Sequence, residues 1–107
     1  MSFETALAQW DEGLRRLAEA PDDEQRMLER VTQAIQVALR RRLGGAFTVD
    51  ELVDLYEQGT DWTTDIAVST APEDPYAWDL RTVADAAFGR YLRTASDYAG
   101  GRRLRRD

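Results

Sequence analysis

Apolar residues recur over the first seventeen positions at Phe3, Leu7, Trp10, Leu14 and Leu17, in steps of four, three, four and three. That spacing places all five on one face of an α-helix. Gly13 costs such a helix about 1 kcal/mol relative to alanine. Ala20-Pro21 stops it, because the residue before a proline is pushed out of the α region. A second helix is expected to begin at once. Asp22 is read as its cap, Asp23 and Glu24 place negative charge in its first turn, and Arg40, Arg41 and Arg42 place positive charge in its last. Its inner face is Leu28, Val31, Ala34, Ile35, Ala38 and Leu39, and Gly44-Gly45 supplies the stop. So short a connection predicts an N-terminal antiparallel helical hairpin.

Thr48-Val49-Asp50-Glu51 has the form of a capping box, with Phe47 and Leu52 as the hydrophobic staple around it. Val49, Leu52, Val53 and Tyr56 form the inner stripe of the helix it starts, and Gly59 ends that helix. Thr60 to Thr70 reads two ways. Trp62, Ile66 and Ser69 fit a helix face, while Thr63, Thr64, Ile66, Val68 and Thr70 are β-branched and partly alternate. A short helix is favoured, since no second strand offers itself for pairing. Pro72 and Pro75 bracket a loop, and Asp74-Pro75 reads as cap plus first helical position. From there Tyr76, Leu80, Val83, Ala84, Ala87, Phe88, Tyr91, Leu92 and Ala95 sustain a long helix to about Tyr98. The fold class is therefore all-α: a compact bundle of about five helices in a single domain, residues 1–100, followed by a flexible Arg-rich tail, residues 101–107.

A chain of 107 residues that is 43% hydrophobic and 32% charged lies well away from the composition of disordered proteins. The longest uncharged run, Val31 to Leu39, is too short to span a bilayer. Met1-Ser2-Phe3-Glu4 lacks the basic and apolar regions of a secretory signal. A cytoplasmic protein with no membrane partner is the expectation. All 14 basic residues are Arg, the usage of a GC-rich bacterial genome.

Charge changes the picture more than composition does. Residues 1–46 carry eight acids and seven Arg, residues 47–97 eleven acids and three Arg, and residues 98–107 one acid and four Arg. From Leu43 to Leu80 there are nine acids and no basic residue. The chain has an acidic middle and a basic end.

With no His, Cys or Lys, the common general bases and nucleophiles are missing. The remaining enzymatic route is a carboxylate cage for a hard cation such as Mg²⁺, as in helical nucleotide hydrolases, built from Glu51, Asp54, Glu57, Asp61 and Asp65 with Glu29 as a partner. Such a pocket would lie between the third and fifth helices and draw on Arg81 or Arg90. Thr48 to Thr70 also has the outline of a helix-turn-helix, but Asp61 and Asp65 without a compensating Arg oppose contact with DNA phosphates. With Arg40 to Arg42 explained by the helix dipole, Arg102, Arg103, Arg105 and Arg106 form the freer group for anion contact, and nucleic-acid contact is expected only through them.

The leading expectation is a non-enzymatic protein–protein interaction or adaptor protein without a cofactor. Asp50, Asp54, Glu57 and Asp61 form its acidic partner face. Self-association, giving a homodimer, is expected through Phe3, Leu7, Trp10, Leu14 and Leu17, with Trp78 as a further interface anchor. The carboxylate enzyme and the nucleic-acid-associated tail are the alternatives.

Overall fold

The computed structural model describes residues 2–44, 47–58, 60–70, 80–99 and 104–105. Helix α1 (Phe3–Glu19) starts at Ser2, whose extended backbone lets its hydroxyl oxygen accept the Thr5 N–H at 3.2 Å. It stops at Ala20, ahead of Pro21. Helix α2 (Asp22–Leu43) has Pro21 at its N-cap and no side-chain cap bond. Asp22 is the first residue inside the helix and not its cap, so its carboxylate acts on the helix dipole alone. At the other end Gly44 takes φ +69° and ψ −152°, and its N–H returns to the Arg40 carbonyl at 2.9 Å.

The inner face of α2 holds Leu28, Val31, Ile35, Ala38 and Leu39 as expected, while Ala34 is only half-buried. Thr32 is fully buried, which the sequence pattern did not show. Its hydroxyl donates to the Leu28 carbonyl at 2.7 Å, so this buried hydroxyl is paired within its own helix.

Beyond Gly44 come β1 (Phe47–Thr48), α3 (Val49–Gln58), α4 (Thr60–Thr70), α5 (Leu80–Ala99) and β2 (Leu104–Arg105). The ambiguity over 60–70 is resolved as helix. Ala67 is buried, Trp62, Thr63, Thr64, Ile66 and Thr70 are half-buried, and Asp65, Val68 and Ser69 are exposed. Ile66, Ala67 and Thr70 share one side of the helix while Val68 and Ser69 face solvent, so burial does not alternate as a strand would require. The loop with Pro72 and Pro75, the start proposed at Asp74-Pro75, and Tyr76 lie outside the described residues. β1 and β2 form a two-residue parallel ladder, Phe47 opposite Leu104 and Thr48 opposite Arg105. Two residues of the tail expected to be free thus have their backbone beside β1.

Helices α1 and α2 follow each other across Ala20-Pro21 as the short connection requires. The apolar stripe of α1, however, seats mainly on α5, which also packs on α2. The α1–α5 approach is close because of two glycines. A Cβ on Gly13 would stand 2.4 Å from Asp85 Cβ and 2.8 Å from the Ala86 nitrogen, and one on Gly89 would stand 2.8 Å from Leu14 Cδ1. At this crossing Trp10 stacks on Phe88, with centroids 5.6 Å apart and planes at 25°. Phe3 and Tyr56 meet Trp10 edge-on, and Trp62 from α4 closes the cluster against Phe88. Five aromatic rings from four helices make the centre of the core.

This packing corrects the dimer face. Trp10 and Leu17 are buried, and Phe3, Leu7 and Leu14 pack half-buried against the same core. The stripe that looked free for a second copy is covered by the chain's own α5. Trp78, the other interface candidate, lies outside the described residues.

Candidate interaction face on α3

The capping box fixes the orientation of α3. Thr48 Oγ1 accepts the Glu51 N–H at 3.1 Å, and Glu51 Oε1 accepts the Thr48 N–H at 3.2 Å. Two otherwise orphaned donors are satisfied reciprocally. With Val49, Leu52 and Val53 buried and Tyr56 half-buried, the helix has no choice about its outer side: Asp50, Asp54 and Glu57 are exposed. Among the described residues neither Asp50 nor Asp54 has an ion-pair partner.

Several described acids elsewhere are accounted for locally. Glu12 is held by Arg15 and by Arg16, and its carboxyl lies below the usual range because of the Arg15 hydrogen bond. Glu19 pairs with Arg15 at 2.9 Å and Asp11 with Arg93 at 3.3 Å. Glu29 takes two parallel bonds of 2.6 Å from Arg90, which lower the pKa of Glu29 and raise that of Arg90. Glu4, Asp22, Asp23 and Glu24 sit in first turns, where the helix dipole favours negative charge. Asp50 and Glu51 share that explanation on α3. Asp54 and Glu57 do not. They stand further along α3, toward a last turn that carries no basic residue, where the dipole disfavours them.

The inner side of α3 carries a polar network that the sequence did not reveal. Tyr56 Oη donates to Asp85 Oδ1 at 2.5 Å and lies 2.8 Å from Gln9 Oε1. Arg81 Nη2 donates to Gln9 Oε1 at 2.8 Å and to Tyr56 Oη at 3.1 Å, and Arg81 Nε is 4.0 Å from the other Asp85 oxygen. One consistent assignment runs from the guanidinium through the phenol to the buried carboxylate, so α1, α3 and α5 are tied together. Burial, then the Asp85 carboxylate, push the Tyr56 phenol well above its usual pKa. Tyr56 is therefore a neutral donor and not a base or nucleophile, and the network braces the fold.

Among the described residues the metal and pocket candidates are not brought together. Among the described residues no group of three or more carboxylates is placed to hold a cation. Glu51 is engaged in the cap, α3 and α4 are separate helices, and Asp54, Glu57 and Asp65 face solvent. Asp61 belongs to α4, but its side chain is outside the described residues. Glu29 and Arg90 are engaged with each other, and Arg81 joins Gln9, Tyr56 and Asp85. Arg42, from the cluster at the end of α2, lies 4.3 Å over the Trp62 ring. In the tail, Arg102, Arg103 and Arg106 lie outside the described residues, and Arg105 is described only through its backbone in β2.

The spacing Arg81–Asp85 is the signal that could have exposed half of the network, since residues four apart share a helix face. Gln9 and Tyr56 carried none. Among the described residues no helix is long and apolar enough to cross a membrane. No protein-family model matches the chain, and no curated protein or solved structure matches it.

Proposed function

We propose that this chain is a non-enzymatic adaptor that presents the outer face of α3 to a cationic protein surface, in a cytoplasmic setting. The observation that carries the reading is Asp54: exposed, on the C-terminal half of a short helix whose last turn holds no basic residue, and without an ion-pair partner among the described residues, with Asp50 and Glu57 exposed on the same side. Local cost without local compensation is what a surface shaped for a partner leaves behind. Asp50 extends the same face toward the start of the helix. Charges of one sign on a rigid helix raise the rate of encounter with an opposite surface and weaken that encounter as salt rises. The missing His, Cys and Lys and the neutral, braced Tyr56 fit a binding role better than a catalytic one.

The test compares two variants with equal charge change. In one, Asp50→Asn, Asp54→Asn and Glu57→Gln neutralise α3. In the other, Asp22→Asn, Asp23→Asn and Glu24→Gln neutralise the start of α2. Binding of a labelled oligo-arginine peptide at low salt is expected to weaken about tenfold in the α3 variant and much less in the α2 variant. Equal losses in both would reduce the effect to net charge and end the assignment of a face.

A further inference from the structure

We infer that β1 is a docking edge for an extended, arginine-rich peptide strand, and that the chain's own tail occupies this edge in the free protein. The inference rests on the α3 reading and adds to it a mode of recognition. Its starting point is the parallel ladder, in which Leu104 lies opposite Phe47 and Arg105 opposite Thr48.

The two sides of that ladder are held very differently. β1 is anchored from behind. Phe47 is 3% exposed and its ring lies 5.3 Å from that of Tyr91, and the Tyr91 hydroxyl donates to the Gly44 carbonyl at 2.7 Å just upstream. Thr48 is fixed by the capping box. The edge is thus preformed by contacts that do not involve β2. β2 contributes two residues to a parallel pairing, and so short a two-stranded ladder is marginal in water. A rigid acceptor edge with a weakly held occupant is an arrangement in which the occupant exchanges.

The occupant also reveals the chemistry the edge accepts. It belongs to Gly101-Arg102-Arg103-Leu104-Arg105-Arg106-Asp107, the most basic segment of the chain. It pairs with the two residues that lead directly into α3, whose Asp50, Asp54 and Glu57 are exposed. In strand addition, main-chain hydrogen bonds provide affinity and the neighbouring side chains provide selectivity. Here the neighbouring charges select arginine. A partner would bring a segment of the same kind, one apolar residue flanked by arginines, and would have to displace the tail. The tail is joined to α5 by the few residues between Ala99 and Leu104. So short a tether gives it an effective concentration in the millimolar range, which sets the threshold a partner must exceed.

The experiment uses the full chain and, as labelled probe, a free peptide with the sequence of residues 101–107. Three proteins are compared by fluorescence anisotropy: the parent, Leu104→Pro, and Leu104→Pro combined with Asp50→Asn, Asp54→Asn and Glu57→Gln. Proline at 104 takes a backbone N–H from a two-residue strand and restricts the residue before it, and is expected to free the edge. Circular dichroism confirms equal helix content beforehand. The Leu104→Pro chain is expected to bind the peptide at least about tenfold tighter than the parent, and hydrogen exchange at Phe47 and Thr48 to slow on binding. A peptide carrying proline in place of its leucine is expected not to bind. Equal binding by parent and Leu104→Pro overturns occupation by the tail. Equal binding of the two peptides overturns strand addition while leaving the charged face standing. Undiminished binding by the combined variant overturns the α3 reading itself. A parent whose mass doubles with concentration, and stays single in Leu104→Pro, shows the tail seated on a second copy and overturns occupation within one chain.

Discussion

Replacing Gly13 with alanine sets two effects of opposite sign against each other. In a solvent-facing helix the change adds about 1 kcal/mol of stability, because alanine is the better helix former. Here the new methyl would stand 2.4 Å from Asp85 Cβ and 2.8 Å from the Ala86 backbone nitrogen. Neither atom is the end of a flexible side chain, so α1 and α5 must move apart. Overpacking of this kind costs about 1–3 kcal/mol. Shifting Asp85 also weakens the Tyr56 hydrogen bond to its carboxylate, a class of bond worth about 1.5–3 kcal/mol. A net loss of about 2 kcal/mol is expected, which lowers the melting temperature of a domain this size by roughly 10 °C. Urea unfolding followed by tryptophan fluorescence measures it, since Trp10 sits at the crossing. Gly89→Ala is the internal comparison. Its Cβ meets the far end of Leu14 at 2.8 Å, a group able to swing aside, and the Trp10 carbonyl oxygen at 3.2 Å, which asks for a shift of only a few tenths of an ångström, so stability is expected to stay within about 1 kcal/mol of the parent. A Gly13→Ala protein as stable as the parent, or less affected than Gly89→Ala, would refute the close-crossing argument.

Thr48→Ala removes one half of the capping box and is expected to cost about 1 kcal/mol by urea titration; an unchanged midpoint would mean that α3 does not depend on its cap. Gly44→Ala forces a side chain onto a backbone at φ +69° and is expected to cost about 1–3 kcal/mol even though the space around it is open, with a compensating gain in helix signal as the contrary result. Because Glu29 has a lowered pKa in the folded state, its pairing with Arg90 stabilises above the ordinary glutamate pKa of about 4.3 and is lost as pH falls through the folded value. Both side chains are about a third exposed, so Glu29→Gln is expected to cost only about 1 kcal/mol at pH 7. The difference between variant and parent should shrink below about pH 4.3, and one that grows in acid would contradict that sign.

What the sequence made legible was local or periodic. The capping box needs only Thr48 and Glu51, three residues apart, and it formed. The stripes of α1, α2 and α3 follow from a 3.6-residue period, and their apolar faces are buried or half-buried. A stripe states that a face is covered but not by what, and so the Phe3-to-Leu17 face was assigned to a second copy when α5 covers it. Gly13 looked like a flaw in α1 because its reason lies on Asp85 and Ala86, more than seventy residues away. Gln9, Tyr56 and Arg81 come together from three helices, with no spacing rule to announce them. Of the candidate site, the exposure of Asp50, Asp54 and Glu57 was readable as the back of an amphipathic helix. The tail pairing was not, since Leu104 and Arg105 carry no strand pattern.

The partnership of α1 with α5 joins elements more than sixty residues apart, and this bears on how the protein is made. Ribosomes add about 5–20 residues per second, so the stretch between Leu17 and Val83 takes roughly 3–13 s to emerge. Throughout that interval Trp10 and its neighbours have no Phe88 to rest against, and the newborn α1 shows its oily side to the surrounding solution. Of these five helices α5 is the one that leaves the ribosome after the others and closes the core, and synthesis halted before Leu92 would yield a polypeptide with a permanently open face.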